Sequence, residues 1–205
     1  MRYFIYIAAY PILTGPFILE EERVNTRNTL LRVIPRLSPS YIVRFDFKPT
    51  YFQREYTNIL HLSASGKDCC NQGDRMPAVF FHGSSLSETK NRVSICSAVN
   101  GRGNYCISSG IIVPRGQWTT IEISQGKDAN TPYRYRYTVK VGDVVIASLI
   151  NKQPRYYSNV QVFGSNPEFN AAQGTMKNLI IIPNAPGNIE VSLVPFSRNS
   201  LHIQA

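Results

Sequence analysis

Between Gly116 and Ile146 three short β-type runs are separated by turn residues, and this stretch limits what the chain can become. In Trp118-Thr119-Thr120-Ile121-Glu122-Ile123-Ser124, Ile121 and Ile123 share one parity while Thr120, Glu122 and Ser124 share the other. A period of two marks a half-buried strand, whose successive side chains point to opposite faces. Tyr137-Thr138-Val139-Lys140-Val141 repeats the pattern, Gly142-Asp143 interrupts it, and Val144–Ile146 resumes it. Glycine at such a break accepts positive φ without a Cβ clash, as a tight hairpin requires. Trp118, the only tryptophan, opens the first of these strands and is expected to be largely buried there.

The same pattern runs through the chain from Thr29. Tyr41, Val43, Phe45 and Phe47 alternate with Ile42, Arg44, Asp46 and Lys48, giving one buried and one wet face. Further strands are expected at 58–62, 78–82, 92–99, 104–108, 133–141, 144–150, 159–163 and 175–182, with turn residues between them and no helical period. About ten short strands at near-regular spacing predict an all-β fold, an antiparallel β-sandwich. Twelve Tyr and ten Phe agree with this. At 205 residues there is room for one substantial domain. The reading divides the chain into an N-terminal extension (1–28), a sandwich (29–183) and a C-terminal segment (184–205).

Four cysteines, Cys69, Cys70, Cys96 and Cys106, fall close together in the sequence. Their even number and clustering point to two disulfides and an oxidising compartment. Adjacent cysteines seldom bond to each other, so Cys69 and Cys70 are each expected to join Cys96 or Cys106, in an order the spacing leaves open. The absence of C-x2-C spacing and of a histidine at finger spacing argues against zinc.

Taken in order, several pieces resemble the laminin G-like and pentraxin-like domains of the concanavalin A-like jelly-roll superfamily. They are the Phe45-x-Phe47 strand, Gly73-Asp74-Arg75 ahead of the apolar strand 78–82, Gly116-x-Trp118 opening its strand, and Gly174-x-Met176-x-Asn178-Leu179 closing the domain. The resemblance covers roughly residues 29–183. It implies a jelly roll that binds ligands outside cells, with catalysis in only some members, and it raises calcium as a candidate cofactor at the sandwich rim.

The residues for catalysis do not assemble. Glycosidases of this kind need carboxylates at i, i+2 and i+4 on one strand, but Glu122 stands alone on its strand, as a surface carboxylate would. His61, His82 and His202 are scattered, and Ser84-Ser85 has no nucleophile-elbow context. For calcium, Asp68, Asp74, Asp128, Asn130 and Asp143 are dispersed, without a D-x-D cluster, and Asp74 beside Arg75 reads equally as an ion pair. The expectation is therefore no enzyme, no metal and no cofactor.

Charge is more telling. A net charge of +9 favours acidic partners. In Tyr133-Arg134-Tyr135-Arg136-Tyr137-Thr138-Val139-Lys140, the cations share one parity and the tyrosines the other. On a strand, Arg134, Arg136 and Lys140 would line one face, with i, i+2 partners about 7 Å apart, a row suited to a sulfated polysaccharide. No nucleic-acid motif is present.

Arg2 and the apolar run Tyr3–Tyr10 resemble the start of a signal peptide, but no good cleavage site follows, and the run is too short to span a bilayer. As a strand it is apolar on both parities and needs cover on both faces. Tyr3, Phe4, Ile5, Tyr6 and Ile7 are therefore expected to contact a neighbouring copy by strand addition. The sequence thus predicts a secreted, non-catalytic module binding an acidic or sulfated glycan, with a self-assembling structural subunit as the alternative and a degenerate glycosidase a distant third.

Overall fold

Fourteen strands and no helix form among residues 15–83, 91–131 and 133–185, the residues described by a computed structural model. In chain order they are β1 (Phe17–Leu19), β2 (Arg23–Val24), β3 (Leu30–Leu37), β4 (Tyr41–Pro49), β5 (Thr57–Ser63), β6 (Ala78–Phe81) and β7 (Arg92–Val99). There follow β8 (Arg102–Ile112), β9 (Thr119–Lys127), β10 (Tyr135–Val141), β11 (Val144–Asn151), β12 (Tyr157–Phe163), β13 (Asn170–Ala171) and β14 (Gly174–Ile182). Sheet A runs β1-β14-β4-β9-β10-β11, with β2 also paired to β14; sheet B runs β3-β12-β5-β6-β7-β8, with β13 also paired to β5. All pairings are antiparallel except the short β13–β5 contact. The antiparallel sandwich expected from the sequence is the fold observed.

Alternation decides what the sheets bury. Tyr41, Val43, Phe45 and Phe47 of β4 enter the core with Ile121 and Ile123 of β9 and Tyr137, Val139 and Val141 of β10. They pack on Ile59, Val79, Phe81, Val93, Ile95, Val160 and Val162 from sheet B. β1 and β2 lie in the stretch read as an extension, yet they pair with β14 and so belong to sheet A. The assembly segment Tyr3–Ile7, Ser84-Ser85 and His202 lie outside the described residues.

The outer faces of the two sheets differ. That of sheet B is covered at its centre, where all seven residues of β5 are buried, polar Thr57, Asn58, His61 and Ser63 included, while β3 and β8 towards its edges stay largely exposed. The 64–77 and 164–172 loops supply the cover. Asn58 accepts the amide of Asn166 at 2.8 Å and donates to the carbonyl of Val79 at 3.1 Å. Arg75 meets Asp68 at 2.8 Å, with both side chains nearly buried, while Asp74 binds Ser65 and the Asn71 amide instead. The neighbouring Asp74–Arg75 pair therefore does not form.

The cysteines also pair differently from the expectation. Cys96 bonds to Cys106, and Cys69 bonds to Cys70. The β7–β8 ladder is the reason: it sets Cys96 directly opposite Cys106, with Cα atoms 4.0 Å apart, and leaves the loop cysteines to each other.

Candidate functional site

The centre of sheet B's outer face is covered, and the predicted strand cations Arg136 and Lys140 lie on the outer face of sheet A. Its side chains come from the parity opposite the core: Ile42, Arg44, Asp46 and Lys48 on β4, Thr120, Glu122 and Ser124 on β9, and Arg136, Thr138 and Lys140 on β10. Cross-strand register sets them in rows, Arg44–Glu122–Lys140 and Ile42–Ser124–Thr138.

The structure treats the three predicted cations differently. Arg134 precedes β10, in a turn closed by the Asp128 amide donating to its carbonyl at 2.9 Å. Neighbouring Tyr133 is 96% exposed and has a φ of 69°, outside strand geometry. The strand face therefore starts at Arg136. Lys140 lies 3.5 Å from Glu122, whose other carboxylate oxygen is 3.2 Å from Arg44. Glu122 is thus a half-buried bridge between two cations rather than an isolated surface carboxylate.

Arg136 is held for presentation. Its Nη2 sits 2.6 Å from Asp128 Oδ2, its Nε donates to the same oxygen at 2.7 Å, and its Nη1 donates to Ser148 at 3.2 Å. The carboxylate is 2% exposed and the guanidinium side chain 45% exposed, so the anchor is covered and the cation faces out. Burial pushes the Asp128 carboxyl upward, but hydrogen bonds from Arg136 and from the Asn130 amide outweigh it and hold Asp128 below its ordinary range. A groove of about 270 Å³ opens beside this pair, floored by Ile42, Ser124 and Thr138 and walled by Lys127, Asp128 and Asn130.

The groove continues around the end of the sandwich. A second depression of about 270 Å³ shares Lys127 and Ala185 with it and adds Ser38, Ser40, Tyr135 and Tyr156. A third, of about 200 Å³, shares Ser38 and Tyr156 and adds Arg36. The Arg36 guanidinium stacks over the Tyr156 ring at 4.3 Å. The run thus carries three cations, Arg136, Lys127 and Arg36, interleaved with two tyrosines and several hydroxyls.

Of these residues only Arg136 was marked by sequence spacing. Lys127 and Arg36 come together through tertiary structure, as the end of β9 meets the 38–40 turn. Among the calcium candidates, Asp68 and Asp128 are taken by arginines and Asp74 by Ser65 and Asn71. No three His, Cys, Asp or Glu side chains gather as a metal cluster among the described residues. No described helix is long and apolar enough to cross a membrane.

No family model matches the sequence, and no curated protein does. Among solved structures, a heptameric SAP-like pentraxin from Limulus polyphemus matches at 15% identity and a TM-score of 0.53, over 79% of this chain and 76% of the pentraxin. The likeness is one of fold, a two-sheet antiparallel jelly-roll sandwich. Mouse laminin α1 domains LG4-5 match at 9% identity and a TM-score of 0.50, over 82% of this chain and 44% of that one. An alginate lyase also matches, at 9% identity and a TM-score of 0.48. Likeness at these identities concerns the fold alone, so function has to be argued from this chain's own site.

Proposed function

We propose that this jelly roll is a non-catalytic extracellular module that binds an acidic polysaccharide along the run of depressions from Arg136 to Arg36. The observation that carries the reading is the three adjoining depressions lined by Arg136, Lys127 and Arg36 with Tyr135 and Tyr156 between them. A guanidinium offers paired donors to a carboxylate or sulfate. Tyrosine presents an apolar ring with a polar tip, and hydroxyls match sugar hydroxyls. The carboxylates at this site, Asp128 and Glu122, are engaged by Arg136, Arg44 and Lys140, so neither is placed as a free acid or base. Disulfide bonding of all four cysteines supports an oxidising compartment.

The test is heparin chromatography together with a glycan array at low and physiological salt. The wild-type protein should be retained and should elute earlier as salt rises. Arg136→Ser combined with Lys127→Ser should elute earlier still, with an unchanged circular dichroism spectrum. Retention identical to wild type would remove the groove from the binding surface.

A second reading is self-association. Ile18 and Val24 are exposed on the β1/β2 side of sheet A, and Leu30 and Val33 on the β3 edge of sheet B. Light scattering of the wild type and of the Ile18→Ser/Val24→Ser and Leu30→Ser/Val33→Ser variants tests it, and loss of an assembled species in either variant would support it.

A further inference from the structure

Trp118 is not in the core. It is half-buried beside the outer face of sheet A, with two lysines directed at its ring: Lys48 Nζ lies 4.5 Å from a ring centroid and Lys177 Nζ 4.2 Å. Cation–π attraction accounts for one such contact. Two ammonium groups gathered on one indole repel each other, and an arrangement of that kind is relieved by an anion. The structure supplies one in part. Glu22 Oε1 is 3.1 Å from Lys48 Nζ, and the hydrogen bond from Lys48 holds its carboxyl below the ordinary range. Lys177 has no ion pair among the described residues. The carboxylate of Asp46, on the same face of β4, accepts from Thr120 and Asn178 at 2.7 Å each.

We infer that Trp118, Lys48 and Lys177 form a second binding site, for a single sulfated or carboxylated sugar unit, in which Glu22 occupies the anion position until ligand displaces it. The indole brings apolar surface to a sugar ring, and the two ammonium groups within 4.5 Å of its ring centroid would hold an acidic substituent of that sugar. The site stands on its own residues. Lys48 lies six positions along β4 from Ile42 on the groove floor, about 20 Å along the strand. One extended polyanion could therefore reach both places, yet either site can exist without the other.

Trp118 is the only tryptophan, so its emission reports this site directly. The full chain is titrated with a heparin-derived tetrasaccharide and followed by tryptophan fluorescence. A saturable change in emission is expected, and it should persist in the Arg136→Ser/Lys127→Ser protein, whose groove is disabled. Lys48→Ser/Lys177→Ser should weaken the half-saturation point about tenfold or more. Glu22→Gln should tighten it, because the internal competitor is gone. Emission that does not respond in the wild type overturns the inference, as does a response lost in the groove variant and kept in the lysine variant. Inositol hexakisphosphate is the control for bare charge, and an equal response to it at equal concentration overturns the assignment to a sugar. Failure of the groove alone would leave this response intact, so the two readings fail separately.

Discussion

Ser97 Oγ and the Tyr137 hydroxyl lie 2.6 Å apart and join the two sheets through the middle of the core. Ser97 comes from β7 of sheet B and Tyr137 from β10 of sheet A, and both are almost fully buried. Burial drives the Tyr137 phenol above its ordinary range, with Ser97 opposing it. The bond is what allows a tyrosine, rather than a phenylalanine, to occupy the centre of an apolar sandwich.

Removing one member of that pair strands the other. Ser97→Ala or Tyr137→Phe alone should lower stability by about 1–3 kcal/mol, while the double variant should recover part of the loss. Urea denaturation of the three proteins checks this. Single-variant losses that simply add in the double variant would mean the hydrogen bond contributes nothing specific.

Arg75 is the anchor of the cover over sheet B. It meets Asp68 twice, through Nη2 to the carboxylate and Nε to the carbonyl, and it donates to Asn104 Oδ1 at 2.8 Å. Asp68 in turn accepts from Asn166 at 2.8 Å, so one ion pair ties the 64–77 loop to β8 and to the 164–172 loop. Arg75→Ala leaves a buried carboxylate without its partner and should cost about 3–5 kcal/mol. Thermal melts would show it, and hydrogen exchange should place the new mobility in the two loops. A loss below about 1 kcal/mol would class the pair with ordinary surface salt bridges.

What the sequence made legible follows from physical pattern. β4, β9 and β10 each have one wet and one dry face, so their alternation is written in the residues. β3 was not marked as a strand of its own: it is an edge strand with Pro35 inside it, and most of its residues are exposed, so no alternation appears. β1 and β2 are too short to show a period. The place of Trp118 at the start of its strand predicts a largely buried ring, but the ring is drawn to Lys48 and Lys177, residues far away in sequence. The site suffered the same blindness. Arg136 sits in a readable row, whereas Lys127 and Arg36 meet the groove only after β9 and the 38–40 turn come together. The paired register that set Cys96 against Cys106 was likewise invisible along one strand.

The disulfide pairing has a direct chemical check. Trypsin cuts after Lys67 and Arg75, and again after Arg92, Arg102 and Arg115. Without reductant, peptide 68–75 should appear alone, two hydrogens lighter than its reduced form. Peptides 93–102 and 103–115 should appear as one cross-linked species. Any species joining peptide 68–75 to either of the others would restore the crossed pairing and contradict the β7–β8 ladder. Opening the Cys96–Cys106 loop by Cys→Ser at both positions should lower stability by about 2–4 kcal/mol.

His61 should make stability fall on the acid side of neutrality. It is buried at the centre of sheet B; its Nε2 lies 3.3 Å from the Lys67 carbonyl, and its Nδ1 has no partner among the described residues. Burial pushes its pKa below the ordinary histidine value. The Asp68 carboxylate and the Lys67 and Asp74 backbones pull the other way without cancelling that, and the charge of Arg75 adds to the lowering. The unfolded chain, whose histidine titrates near pH ~6.5, therefore takes up the proton before the native state does. Stability is full above that pH and declines as pH falls from about 6.5 through the lower native value. Asp74 and Asp128, both held below the ordinary carboxylate range, add their losses only in more acidic solution. His61→Gln removes the first decline and leaves the second, so the urea midpoints of variant and wild type should converge or cross between about pH 7.5 and about pH 5. Parallel midpoints across that window would mean that His61 titrates alike in both states, and that the cover of sheet B admits water to its ring.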